Sequence, residues 1–483
     1  VDSNHGWRRV FAPAAGRAAQ APAVAPGGAD GQALPVALAR AEPGRRQLVD
    51  AAGRSTEFLY DDLDRLVETR SSHAGSRRQR YDALGRLARI EHADGSVDAR
   101  DHDLAGRVVR REQAAGEERV VTRFGYEGAR LVTIDHPVQR SLARHDALGR
   151  LVELIHERDG TTYRQTVSYD PLGRLAEQGL PDGLRLVHGY DAQGRADAFG
   201  LSMSGDAAVR WLARFAHRDA GATVMELGNG IRFEQQVDAS GRPNLLRWLR
   251  GSADRGAEGL ARAPRDWDSL GPSDLPFRRL QWHPRGLPVA IAHESGEDRF
   301  GYDRFGRLIV RERHAGGAAP AHVEYFLHDS VGGRLAARRR DGSDWREPDA
   351  QPDASGRPTR HRGHALRYGA QRRIVEADGE RGATRYRYDA FGVRAARSGV
   401  AGDRGFLHHA GALVAETGTD GRVLRQYLRW HGRLVAVLDH EPTSGGGRAG
   451  RSSLHFIHVD HVGTPIAATD ERGRVAWRGD WDA

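Results

Sequence analysis

Apolar residues come along this chain singly or in short alternations, broken at regular intervals by Gly and Asp, a period-two pattern that predicts short β-strands joined by tight turns. In Val423-Leu424-Arg425-Gln426-Tyr427-Leu428-Arg429-Trp430, Leu424, Leu428 and Trp430 fall on one face and Arg425 and Arg429 on the other. His322-Val323-Glu324-Tyr325-Phe326-Leu327 likewise places Val323, Tyr325 and Leu327 together. Both segments predict a sheet with one drier face. In Arg86-Leu87-Ala88-Arg89-Ile90-Glu91 both faces are mixed, as in a single sheet that meets water on each side.

One unit punctuates these alternations: an aromatic or His, then Asp, two variable residues, Gly, Arg and an aliphatic. Clear copies start at Tyr81-Asp82 (with Gly85 and Arg86), His102-Asp103 (Gly106), His145-Asp146 (Gly149), Tyr169-Asp170 (Gly173), Tyr190-Asp191 (Gly194) and Tyr302-Asp303 (Gly306). Degenerate copies are Tyr60-Asp61 with Asp64 in the glycine place, Val237-Asp238, His328-Asp329, and Tyr388-Asp389 with Gly392 but Val393 in place of arginine. Several copies lie about 21 residues apart, within the range of stacked repeats. Asp accepts backbone N–H groups two residues on and Gly closes a turn in the left-handed region, so each copy predicts strand, turn, strand. Hairpins laid side by side make one ribbon, and strand twist curls it into a spiral that encloses space.

Composition narrows the chemistry. The chain has 483 residues, 39% hydrophobic and 29% charged, with 60 glycines and a net charge of +8, which suits a thin, turn-rich β-structure better than a fat globule. All 73 basic side chains are arginine and cysteine is absent, which excludes lysine Schiff-base chemistry, thiol catalysis, disulfides and Cys-type zinc sites. The arginines are spread among 65 acidic residues, so a nucleic-acid partner is not favoured. No stretch approaches the length of an apolar transmembrane span, and the first residues show no signal pattern.

The Y-D-x-x-G-R-L units resemble those of RHS and YD-repeat proteins, which include bacterial polymorphic toxins, the C component of insecticidal toxin complexes, and teneurins. A second match is His458-Val459-Asp460-His461-Val462-Gly463-Thr464-Pro465, followed by Asp470, Gly473 and Trp477, which resembles the segment near the end of the RHS core. The resemblance implies a mainly β fold, hairpins in a continuous spiralling sheet that forms part of a hollow cocoon. It divides the chain into an Ala/Pro/Gly-rich linker with first irregular strands (1–57), a repeat shell (58–453) and a truncated signature segment (454–483). It implies encapsulation and delivery of the protein's own C-terminal toxin domain, interbacterial or insecticidal, by routes such as type VI secretion. Secretion-apparatus or chaperone proteins are further partners it suggests, and a surface glycan-binding or adhesion array is the alternative. Delivery would run from a bacterial cytoplasm to a target cell. The family's D-P-x-G-L self-cleavage motif is expected beyond Ala483; Asp170-Pro171-Leu172-Gly173-Arg174 carries arginine where that motif needs leucine.

Other residues invite chemistry. His455, His458 and His461 with Asp460 suggest a metal site, but positions three apart on a strand face opposite sides. Asp480 and Asp482 suggest paired carboxylates, and the start of another repeat turn explains them equally. His283 and the His408-His409 pair have no partner at useful spacing and predict surface or inter-strand hydrogen bonds. Arg385-Tyr386-Arg387-Tyr388 suggests base stacking, or more simply cross-strand pairing. Without a G-x-S-x-G, H-E-x-x-H or P-loop motif, the sequence predicts no enzyme and no cofactor.

Overall fold

The computed structural model describes residues 37–42, 44–49, 55–72, 74–202, 208–217, 223–250, 274–315, 320–328, 334–339, 352–361, 363–400, 402–440 and 452–479. Most of the expected linker, together with Asp329, Asp480 and Asp482, lies outside them. Every regular element among the described residues is a β-strand. Each pairs antiparallel with the next in the chain, giving a ladder of 26 strands from Ala37–Glu42 to Arg334–Arg339 and another of 12 from Arg360–His361 to Val475–Arg478.

The repeat unit sets the curvature of this ribbon. At copy after copy the register shifts at the aromatic or His that opens the unit: between Arg80 and Tyr81, Asp101 and His102, Ser168 and Tyr169, Gly189 and Tyr190, and Gly301 and Tyr302. A bulge adds right-handed twist and bends its strand, so one bulge per repeat bends the sheet by similar steps in one direction.

Bent this way, the ribbon returns on itself. Asp94 meets Arg372, Arg158 meets Ala395 and Arg250 meets Gly473, pairs 278, 237 and 223 residues apart. One circuit therefore takes about a dozen repeat lengths of the size that stacked repeats show. The largest apolar cluster lies where the windings overlap. It joins Phe199, Leu212, Phe215, Ile231 and Trp248 of the first sheet to Leu428, Val435, Leu454, Phe456 and Ile466 of the second.

Burial follows the overlap. Strand Gly75–Tyr81 has no buried residue, although the turn at Ala354 lies against its first residue, Gly75. In Leu151–Arg158, by contrast, Leu151, Leu154 and Ile155 are buried together with Glu153, His156 and Arg158, because the second winding covers a face that the repeat pattern leaves open. Leu428 is buried and Trp430 packs on the same cluster, matching the face read from their alternation, although buried Gln426 shares it. At His322–His328, Val323 is buried while Tyr325 is half-exposed and Phe326, from the other face, is buried.

Candidate functional site: the repeat turns and the seam between windings

Each repeat turn is closed by its own aspartate. In the first clear copy the Asp82 N–H donates to the Arg86 carbonyl at 2.8 Å and the Gly85 N–H to the Asp82 carbonyl at 2.9 Å. The Asp82 Oδ1 accepts the N–H groups of Leu84 and Arg86 at 3.0 and 2.9 Å, and its Oδ2 accepts Arg86 Nε at 2.6 Å. The same backbone pair closes the turns of Asp103 with Gly106, Asp146 with Gly149, Asp170 with Gly173, Asp191 with Gly194, Asp303 with Gly306 and Asp389 with Gly392. Backbone N–H donors and the arginine hold the carboxylates of Asp82, Asp103 and Asp146 below their usual range. Asp389, whose repeat has Val393 instead of arginine, is pushed up by burial.

The aromatic and the arginine serve neighbouring repeats. The Tyr81 hydroxyl donates to the Leu66 carbonyl at 2.9 Å, Tyr169 to Leu151 at 3.0 Å, Tyr190 to Leu175 at 2.8 Å, Tyr302 to Pro288 at 2.8 Å and Tyr388 to Ile374 at 2.7 Å. Each acceptor follows the last turn residue of the preceding repeat. That repeat's arginine lies over the same ring: Arg65 over Tyr81 at 4.7 Å, Arg150 over Tyr169 and Arg174 over Tyr190 at 4.2 Å. Tyrosine and arginine thus read each other across one repeat, a contact that intra-turn reasoning missed although the spacing of about 21 residues signals it.

Several turns lack the full unit. His283 occupies the aspartate place, its Nδ1 accepting the Arg285 N–H at 3.1 Å while its own N–H donates to the Leu287 carbonyl at 2.8 Å, so it is an exposed histidine that closes a turn. Asp353-Ala354-Ser355-Gly356-Arg357 forms a complete turn that is not among the copies read from the sequence; its D-x-x-G-R string was the signal for it, obscured by the missing aromatic.

The windings meet along a polar seam. Asp94 holds both Arg357 and Arg372, the latter at 3.0 Å. Glu118 accepts the Ala370 N–H at 3.1 Å, and Asn229 donates to Thr469 and to the Asp470 carbonyl at 2.9 Å each. Buried Arg158 donates to the carbonyls of Ala395 and Phe406 at 2.6 and 2.9 Å. Phe215 stacks on Trp430 with ring centres 3.7 Å apart. Histidines cluster here: His136 by Gln371, His156 against His408 and His409, His188 edge-on to His431 at 6.4 Å, and His458 edge-on to Trp248 at 5.5 Å. Burial lowers His136, His156, His188, His408 and His409 to about 4, and lowers His458 to about 3 with help from Arg433. The pair His408-His409 therefore belongs to the seam and not to the surface.

The signature segment is built from the same parts. Asp460 closes a turn with Gly463 and Thr464, and Pro465 starts the next strand. Asp470 closes another with Gly473, next to half-exposed Trp477. His458 Nε2 bonds Thr469 Oγ1 at 3.0 Å, His455 Nδ1 stands 3.7 Å from Asp439, and His461 packs edge-on to Trp282. The three imidazoles thus have separate partners. Among the described residues no group of three or more His, Asp and Glu side chains is placed to hold a metal, and no helix is long and apolar enough to cross a membrane.

Comparisons agree with this architecture. Residues 60–97 match the family described as RHS Repeat, and residues 454–483 that described as RHS protein. The toxin protein Tse5 of Pseudomonas aeruginosa is 31% identical over 152 residues, covering 24% of this chain and 12% of Tse5. The Tc holotoxin pore of Photorhabdus luminescens with a TccC3 variant superposes with a TM-score of 0.66 at 14% identity over 91% of this chain. A TcdB2–TccC3 structure without the hypervariable C-terminal region gives 0.65 at 14% identity. This chain spans 26% of each of those solved chains. With turns, tyrosine ladder and signature segment all of one pattern, the chain carries RHS repeats at residues 60–97 and an RHS segment at residues 454–483, and its fold is that of the β-shell seen in the solved TccC3 chains.

Proposed function

We propose that this chain is part of a wall that encloses a C-terminal toxin domain, shields the producing cell from it and carries it to another cell. The observation that supports this reading most strongly is the return of the second winding onto the first, through contacts that run from Asp94–Arg372 by way of Arg158–Ala395 to Arg250–Gly473. A ribbon that seals against itself excludes macromolecules from one side. In this reading the chain's contribution is containment, not chemistry. Stretches such as Gly75–Tyr81, with no dry face, suit a lumen that must release its cargo, since a broad apolar wall binds exposed hydrophobic chain too tightly. A glycan-binding array finds less support from the tryptophans, since Trp248 is buried in the core cluster and Trp282 and Trp430 pack against it, while Trp477 is half-exposed.

Limited proteolysis of the full-length protein tests containment. The C-terminal domain should survive protease added outside while the shell is intact and should be digested once the seam is opened by denaturant. Its rapid digestion within an intact shell would refute the proposal.

A further inference from the structure

Beneath the seam lies a cavity of about 340 Å³ between the turn at Arg158–Thr161 of the first winding and four strands of the second. Five guanidinium groups and two carboxylates contribute to its lining. Most of these charges are matched. Arg387 grips Asp159 with two bonds of 2.9 and 2.5 Å, and Arg385 reaches Glu376 outside the cavity at 3.0 Å. Arg404 lies 3.9 Å from Glu416, and Asp403 accepts the Gly399 N–H at 3.0 Å.

Arg158 and Arg397 remain. Arg158, only 4% exposed, bonds two carbonyl oxygens and, at 3.3 Å, Thr417 Oγ1, with the Tyr163 ring and the Asp159 carboxylate beside it. Arg397 stands directly across the ladder from Arg404, a like-charge pair that costs stability, and its buried Nε has no hydrogen-bond partner among the described residues. A buried guanidinium N–H without a partner is costly, and a planar fork of N–H donors fits an oxyanion face. Ser398, Thr161 and Thr419 add hydroxyl groups to the lining.

We propose that this cavity binds a phosphate-type oxyanion, as free phosphate or a phosphomonoester, which cross-links the two windings. An anion that binds only the closed seam stabilises it by mass action, about 100-fold in the closed-to-open ratio at a hundred times its Kd.

The test is thermal unfolding of the full chain in sodium phosphate, in ribose 5-phosphate and in sodium chloride at matched ionic strength. A saturable rise in melting temperature with phosphate over chloride is expected, absent in R397Q and retained in R70Q, whose arginine pairs with Glu57 and Glu68 far along the first sheet. A larger rise with ribose 5-phosphate at equal concentration assigns the site to a monoester, an equal or smaller one to free phosphate. No rise over chloride, or the same rise in R397Q, overturns the proposal. Should R397Q fail to fold, calorimetric titration of the unaltered chain with phosphate decides: one saturating site per chain supports the inference, and no saturable heat removes it.

Discussion

At the scale of single residues, the repeat turn is a set of backbone demands met by particular side chains. Gly194 stands at φ 79°, and a Cβ there would approach Arg174 Nη1 at 3.3 Å. Gly194→Ala should therefore cost about 1–2 kcal/mol of local stability, read as faster amide exchange in the hairpin around residue 191. Asp64 holds the same left-handed conformation at φ 57° without being glycine, so Asp64→Gly should slow exchange in its turn. Tyr190→Phe removes the hydroxyl that reaches the Leu175 carbonyl and should weaken the joint between two repeats by about 1 kcal/mol, without disturbing the turn itself. The turns were legible from sequence because Asp and Gly act within five residues. The tyrosine's partner lies 15 residues back on the neighbouring strand, so the turn motif does not name it and only the repeat spacing signals it.

At the scale of elements, strands of similar sequence differ in what covers them. The pairing order follows directly from the chain, since each hairpin pairs with the next. Which strands become dry on both faces depends on where the second winding lands. Phe456 is fully buried in the cluster that joins the two sheets. Phe456→Ala should cost about 3–5 kcal/mol and open the seam locally, while leaving strands near residue 80 as protected from exchange as before. Uniform loss of protection along both sheets would contradict a seam that is a separate cooperative unit.

For the whole molecule, the buried histidines make the seam sensitive to acid. In the folded chain His136, His156, His188, His408 and His409 are lowered to about 4, while an unfolded histidine titrates near 6.5. Between these values the unfolded form binds more protons, so the stabilisation is fully present above about pH 6.5 and is lost progressively as pH falls to about 4. The melting temperature should fall steeply over that interval, with protease sensitivity appearing first at the seam. Neither ring nitrogen of His188 has a hydrogen-bond partner among the described residues, although the ring is buried against Phe199. His188→Phe should hold or raise stability at neutral pH and flatten the acid slope, and an unchanged slope would exclude His188 from this response.

By itself the sequence determined the local grammar of this protein: Asp-to-Gly turns, short antiparallel strands, the phase of the repeats and hence a curling ribbon. Those features rest on backbone conformation and contacts within a few residues, which composition and spacing report directly. The tertiary structure alone decided the seam, because closure after a full circuit depends on the sum of many small bends. That sum brings Arg158 to Phe406 and His156 to His408, residues about 250 apart, and neither string of sequence carries a sign of the other.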